Sequence, residues 1–234
     1  MTAIYRREVD AYFHSMVGCL YIAVLLFFNG IYFMANNLSI GYTHYSYAIS
    51  GQTVILLLAV PVLTMRSMAE DRRSRADQLL LTSPVTLWGV VWGKYLAVVT
   101  VLAVPALISC FCPLIIAMNG EAHLLSDYAA ILEFFLLACV FASVGLFFSS
   151  LTESQVIAAV GTFAGLLILY LWEDIAAFLP GALGELAARF SFVAPLSDII
   201  NYSVLNLSGL VLYLSMTGLF LFLTVQTLQK RRWT

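Results

Sequence analysis

A charged island, Arg66 to Pro84 (RSMAEDRRSRADQLLLTSP), interrupts a chain of 234 residues that is 62% hydrophobic and only 10% charged. Five of the eleven basic residues lie between Arg66 and Lys94, with long apolar runs on either side. A soluble core cannot absorb that much apolar surface, so the chain reads as an integral membrane protein. Lipid leaves only helices or closed barrels able to satisfy the backbone, and a helix needs roughly 20 residues to cross a core of about 30 Å. Unbroken apolar runs, rather than ten-residue alternating ones, select helices over a barrel.

Six spans are expected: Val17–Ala35, Tyr47–Met65, Tyr95–Met118, Asp127–Ser149, Val156–Trp172 and Leu207–Leu228. The first run is too long for a signal-peptide apolar region and reads as a retained helix. Before it, Ala3 to Met16 sets Tyr5, Val9, Tyr12, Phe13 and Met16 on one helical arc and Arg6, Arg7, Asp10 and His14 on the other, which predicts an interfacial helix over 1–16 with its apolar side toward lipid. Trp88 and Trp92 read as interfacial anchors, and Lys94 as a side chain snorkelling to the same surface. Glu173 to Asn206 breaks into short apolar pieces around Pro180, Gly181, Gly184 and Pro195, the pattern of re-entrant helices entering the membrane from one side.

Charge placement orients these spans. With six crossings, Arg6, Arg7, the five basic residues from Arg66 to Lys94, and Lys230, Arg231 and Arg232 share one side, and only Arg189 lies opposite. The positive-inside rule makes that side cytoplasmic, together with both termini and the 229–234 tail, and makes 173–206 external.

Other classes fall away on composition. A net charge of -2 offers no basic surface for nucleic acid. Cys19, Cys110, Cys112 and Cys139 all sit in apolar runs, where a thiol acts as a small hydrophobe, so neither a disulfide framework nor a metal site is expected. GxSxG is absent, and His14, His44 and His123 form no ligand cluster in sequence, which argues against an intramembrane enzyme. An ATP-independent secondary carrier should show internal repetition, and the halves show no convincing similarity.

Read as a helix, the island pairs Asp71 with Arg75, Arg73 with Asp77 and Glu70 with Arg73, giving a structured docking surface closed by Thr82-Ser83-Pro84. Pro61 should bend span two just before it. Pro105 and Pro113, near one face of span three, suggest a bent helix there too. Gly161 and Gly165 have the four-residue spacing of close helix packing. Glu133, in a run of Phe and Leu inside span four, is an intramembrane carboxylate and therefore a pathway or gate candidate.

The run RSMAEDRR from Arg66 to Arg73, LLLTSPV from Leu79 to Val85, and Gly93-Lys94-Tyr95 resembles the segment between spans two and three of ABC-2 type ABC transporter permeases. FSFVAPLS (190–197) and LFLFLTVQTLQKRRW (219–233) are similar to the closing segments of the gliding-motility-type branch. Arg75-Ala76 stands where many members have Gly-Thr, and Asp77-Gln78 where Leu-Glu is common.

The resemblance implies one transmembrane domain over 1–234, with an N-terminal elbow helix, a cytoplasmic coupling segment over 66–94 carrying Glu70, Asp71, Arg72, Arg73, Arg75 and Asp77, and an external gate region. Pro61, Glu133, Pro180 and Pro195 become hinge or gate candidates. It further implies an exporter in a bacterial cytoplasmic membrane, paired with a second permease, identical or not, and driven by two ATPase subunits that hold ATP and Mg. No GxxxxGK[ST] phosphate loop occurs in these residues, so no cofactor is expected on this chain, and its other partner is membrane lipid. Two alternatives remain: the secondary carrier, and a non-transporting assembly protein coupled to an ATPase.

Overall fold

The computed structural model describes residues 2–73, 86–119, 123–178, 184, 188–202 and 206–232. Among them the architecture is helical, without strands: α1 Thr2–His14, α2 Met16–Phe33 continued by a π-helical turn Met34–Ser39, α3 Ser46–Arg73, α4 Leu87–Ser109, α5 Phe111–Asn119, α6 Leu124–Leu151, α7 Gln155–Tyr170, α8 Trp172–Ala177, α9 Ala194–Tyr202 and α10 Leu207–Arg232. Five segments are long and apolar enough to cross a membrane: Met16–Ser39, Ser46–Arg73, Leu87–Met118, Leu124–Leu151 and Leu207–Lys230. The segment expected as span five is a shorter apolar helix of 16 residues, about 24 Å at ~1.5 Å per residue, which breaks at Leu171 before α8 begins.

Burial sorts the helices. The apolar windows of α6 and α3 are 67% and 56% buried, against 28% or less for the other three, so these two form the centre and the others surround them. The central pair runs parallel. The Tyr45 N–H donates to Asp127 Oδ1 at one end, Thr64 lies against Gly145 further along, and the Met68 and Ala69 N–H groups both donate to Ser149 Oγ at the other end. A Cβ at Gly145 would collide with the Thr64 side chain, so the helices approach closely because that residue is glycine.

Around this core, α2 and α7 pack on α3, while α4 and α10 pack on α6. The Phe148 ring of α6 lies over Gly161 and Gly165 of α7, where added Cβ atoms would come within 3.2 and 2.7 Å of it. That glycine pair therefore serves packing within the chain. Pro61 is buried within α3. Pro105 is likewise tolerated inside α4, but Pro113 is not accommodated in the same helix. Its ring would meet the Ser109 carbonyl and it has no N–H to return, so the helix ends at Ser109 and restarts as α5, with Pro113 in the permissive first turn.

Two expectations change. The first eight island residues are not a separate helix but the last two turns of α3, which runs unbroken to Arg73; residues 74–85, with Arg75, Asp77 and the rest of the island, lie outside the described residues. Nor does the whole apolar arc of α1 face outward. Tyr12 is buried and Tyr5 and Val9 pack on the core, while Phe13 and Met16 stay exposed, because α1 lies across α4 and α2.

Candidate functional site

Lys94, in the second turn of α4, does not snorkel: its side chain is 1% exposed. Its Nζ donates to Glu8 Oε1 (3.0 Å) from α1 and to the Ser67 carbonyl, and lies 2.7 Å from Asp71 Oδ2, both from α3. Of the three ammonium donors two make hydrogen bonds, and Asp71 adds an ion-pair contact. Arg7 joins the cluster at 2.6 Å from Glu8 and 3.6 Å from Asp71. Two cations and two carboxylates thus balance, with Lys94 buried and Arg7 half exposed on α1. The Glu8 hydrogen bond raises the Arg7 guanidinium above its ordinary value, against the opposing effect of burial.

Sequence reasoning missed Glu8. The signal was available, because Glu8 falls on the α1 arc of Tyr5 and Tyr12, three residues before and four after it. A carboxylate on the inward arc of an interfacial helix needs a buried cation, and Lys94 provides it.

The island residues pair differently from the helix-spacing expectation. Glu70 is held by Arg66, one turn earlier, through two hydrogen bonds (2.9 and 3.1 Å), instead of by Arg73. Asp71 turns toward Lys94 and Arg7. Arg72 reaches away from α3 to the turn between α6 and α7, where it meets Glu153 (3.1 Å) and donates to the Leu151 carbonyl (2.8 Å), covering the C-terminus of α6. Arg73 is exposed. Ser149, also unforeseen, ties α6 to α3 one turn deeper. The end of α3 is therefore bonded to α1, α4, α6 and the α6–α7 turn.

The opposite end holds the second group. Glu133 lies about 13 Å along α6 from Leu124 at ~1.5 Å per residue, fully buried, with the Asn206 backbone as its nearest polar neighbour and no cation paired with it among the described residues. Asp198 of α9 and Tyr213 of α10 are close enough for charge at Glu133 to matter to them, or theirs to it. Pro195 is buried in α9 against Gly209 of α10, whereas Pro180 lies outside the described residues. At the same end, the hydroxyl of Tyr45, the residue before α3, donates to Asn29 Oδ1 (2.7 Å) and Asn29 Nδ2 donates to Ser109 Oγ, joining the start of α3 to α2 and α4 through buried polar groups. His44 and His123, 79 positions apart in the chain, stack with ring centroids 4.5 Å apart. Among the described residues no group of three or more His, Cys, Asp or Glu could hold a metal ion, and all four cysteines are free.

A bundle of apolar helices whose one end is knit by charged side chains, with the buried carboxyls of Asp127 and Glu133 toward the other end, defines a multi-pass membrane protein. The family model described as ABC-2 family transporter protein matches residues 33–231, and the chain belongs to that family. It is thus the membrane domain, the permease subunit, of a type of transporter that works with ATPase subunits. No curated protein matches it.

Proposed function

We propose that this permease is an exporter subunit, driven by two separate ATPases that dock at the end of the bundle where α3 terminates. The observation that carries the reading is the bonding of that end. Because α3 continues without a break from the membrane into the island, a push on Glu70 to Arg73 displaces a rigid rod. Lys94 passes that displacement to α1 and α4, and Arg72 passes it to the α6–α7 turn.

In this reading the basic end is cytoplasmic in a bacterial inner membrane, α1 is the elbow helix, and α7 with its continuation completes a sixth span. Residues 66–94 hold the coupling element, including Arg75 and Asp77, and the region around Pro180, Pro195 and Glu133 forms the external gate. A second permease of the gliding-motility branch or a second copy of this chain completes the pathway. ATP and Mg reside on the ATPases.

The test is co-purification in mild detergent from cells carrying the native neighbours, followed by ATP-dependent flux in liposomes. An ATPase and a second permease are expected in the complex, with flux that requires ATP. Recovery without any ATPase would overturn the reading in favour of a carrier, and hydrolysis without flux in favour of an assembly protein.

A further inference from the structure

At the basic end, α1, the start of α2 and the end of α3 enclose a polar cavity of about 70 Å³ lined by Glu8, Tyr12, Arg66, Ser67 and Glu70, with Val17 at its edge. Val17 also begins a second cavity of about 240 Å³, an apolar groove between α2 and α3. Its walls are single helical stripes, Val17, Val24 and Phe28 on α2 facing Leu58, Ala59 and Val62 on α3. The two cavities adjoin at Val17, one polar and the other apolar.

The groove's length has a meaning. From Val17 to Phe28 is about 16 Å at ~1.5 Å per residue, against about 15 Å for half of a hydrocarbon core of ~30 Å. It runs the depth of one leaflet. The polar cavity carries both signs: Glu70 pairs with Arg66, and Glu8 accepts from Lys94 and Arg7 through Oε1, so a headgroup would share these carboxylates and the guanidinium with their partners in the chain. Ser67 Oγ, buried beside the Tyr12 hydroxyl, also lines it.

We propose that these adjoining cavities bind one phospholipid with a primary-amine headgroup of the phosphatidylethanolamine type, its head in the Glu8–Arg66–Ser67–Glu70 cavity and one acyl chain in the α2–α3 groove. The ammonium donates to the carboxylates, and the phosphate accepts from Arg66 and Ser67. A choline head has no N–H to donate, and a glycerol head brings hydroxyls but no ammonium to the carboxylates. Selection follows from the amine.

The full chain is reconstituted in nanodiscs of equimolar dioleoyl phosphatidylethanolamine, phosphatidylcholine and phosphatidylglycerol, extracted in mild detergent, and its retained lipid counted by native mass spectrometry. One ethanolamine lipid per chain is expected, favoured about tenfold over each competitor, the factor a single charge-assisted hydrogen bond supplies. Ala59→Phe or Val24→Phe, each filling the groove, should abolish retention while circular dichroism and elution stay unchanged, and Ser67→Ala with Glu70→Gln should erase the headgroup preference. Equal retention of the three lipids, retention indifferent to both groove variants, or disulfide-linked dimers through Leu58→Cys showing a second copy in the groove would each overturn the proposal.

Discussion

The Lys94 ammonium lies 2.7 Å from the Asp71 carboxylate, and its side chain is 1% exposed, so a cation at the head of one helix is covered by the tail of another. Removing one member of such a pair leaves charge without compensation. Lys94→Met is expected to destabilise the protein by about 3 kcal/mol, the lower part of the range for a broken buried pair, because Arg7 remains near both carboxylates. Thermal unfolding in detergent measures this, and Lys94→Met combined with Asp71→Asn should recover part of the loss.

Arg72 and Glu153 make a different kind of contact. Their side chains are 24% and 64% exposed, so the pair contributes no more than about 1 kcal/mol to stability. Arg72→Glu or Glu153→Arg should leave unfolding nearly unchanged and lower ATP-dependent flux, and the double reversal should restore it. Flux that survives both single reversals would remove the α6–α7 turn from the coupling route.

Gly145 tests the central seam. Gly145→Ala forces Thr64 to shift and should cost roughly 1–3 kcal/mol, the usual penalty for overpacking. Thr64→Ala in the same chain removes the two outer atoms of that clash and should return part of the stability, read by the same thermal assay.

Glu133→Gln keeps the shape and removes the capacity for charge. Since no cation pairs with Glu133 among the described residues and an amide oxygen can still accept from the Asn206 backbone, insertion and thermal stability should match the parent chain. If Glu133 belongs to the gate, flux falls at least tenfold; unchanged flux sinks that role.

The helical membrane class was legible in the composition and the unbroken apolar runs, a helix at the N-terminus in its local spacing, and the family in the resemblance carried by Arg66–Arg73, Ser83-Pro84 and Gly93-Lys94. Partners were not. Spacing within one helix suggested Glu70 with Arg73, but α3 continues to Arg73, and its tail meets α1, α4 and α6, whose carboxylates, cations and hydroxyls compete for the same groups. Lys94 illustrates the limit: snorkelling follows from its position near a helix end, while its burial follows from Glu8, 86 positions earlier, lying across it. Ser149 gave no signal, being one of several small residues in an apolar run.

The parallel pairing of α3 and α6 also constrains how the chain can change in length. Tyr45 with Asp127, Thr64 with Gly145, and Met68 with Ser149 keep an offset of 81 or 82 positions along the whole seam. Deleting one residue between Tyr45 and Met68 would rotate everything beyond it by about 100° and lift it by ~1.5 Å. Such a deletion unfastens one end of the seam unless α6 loses a residue over the same interval, so the two helices can only be shortened or extended together.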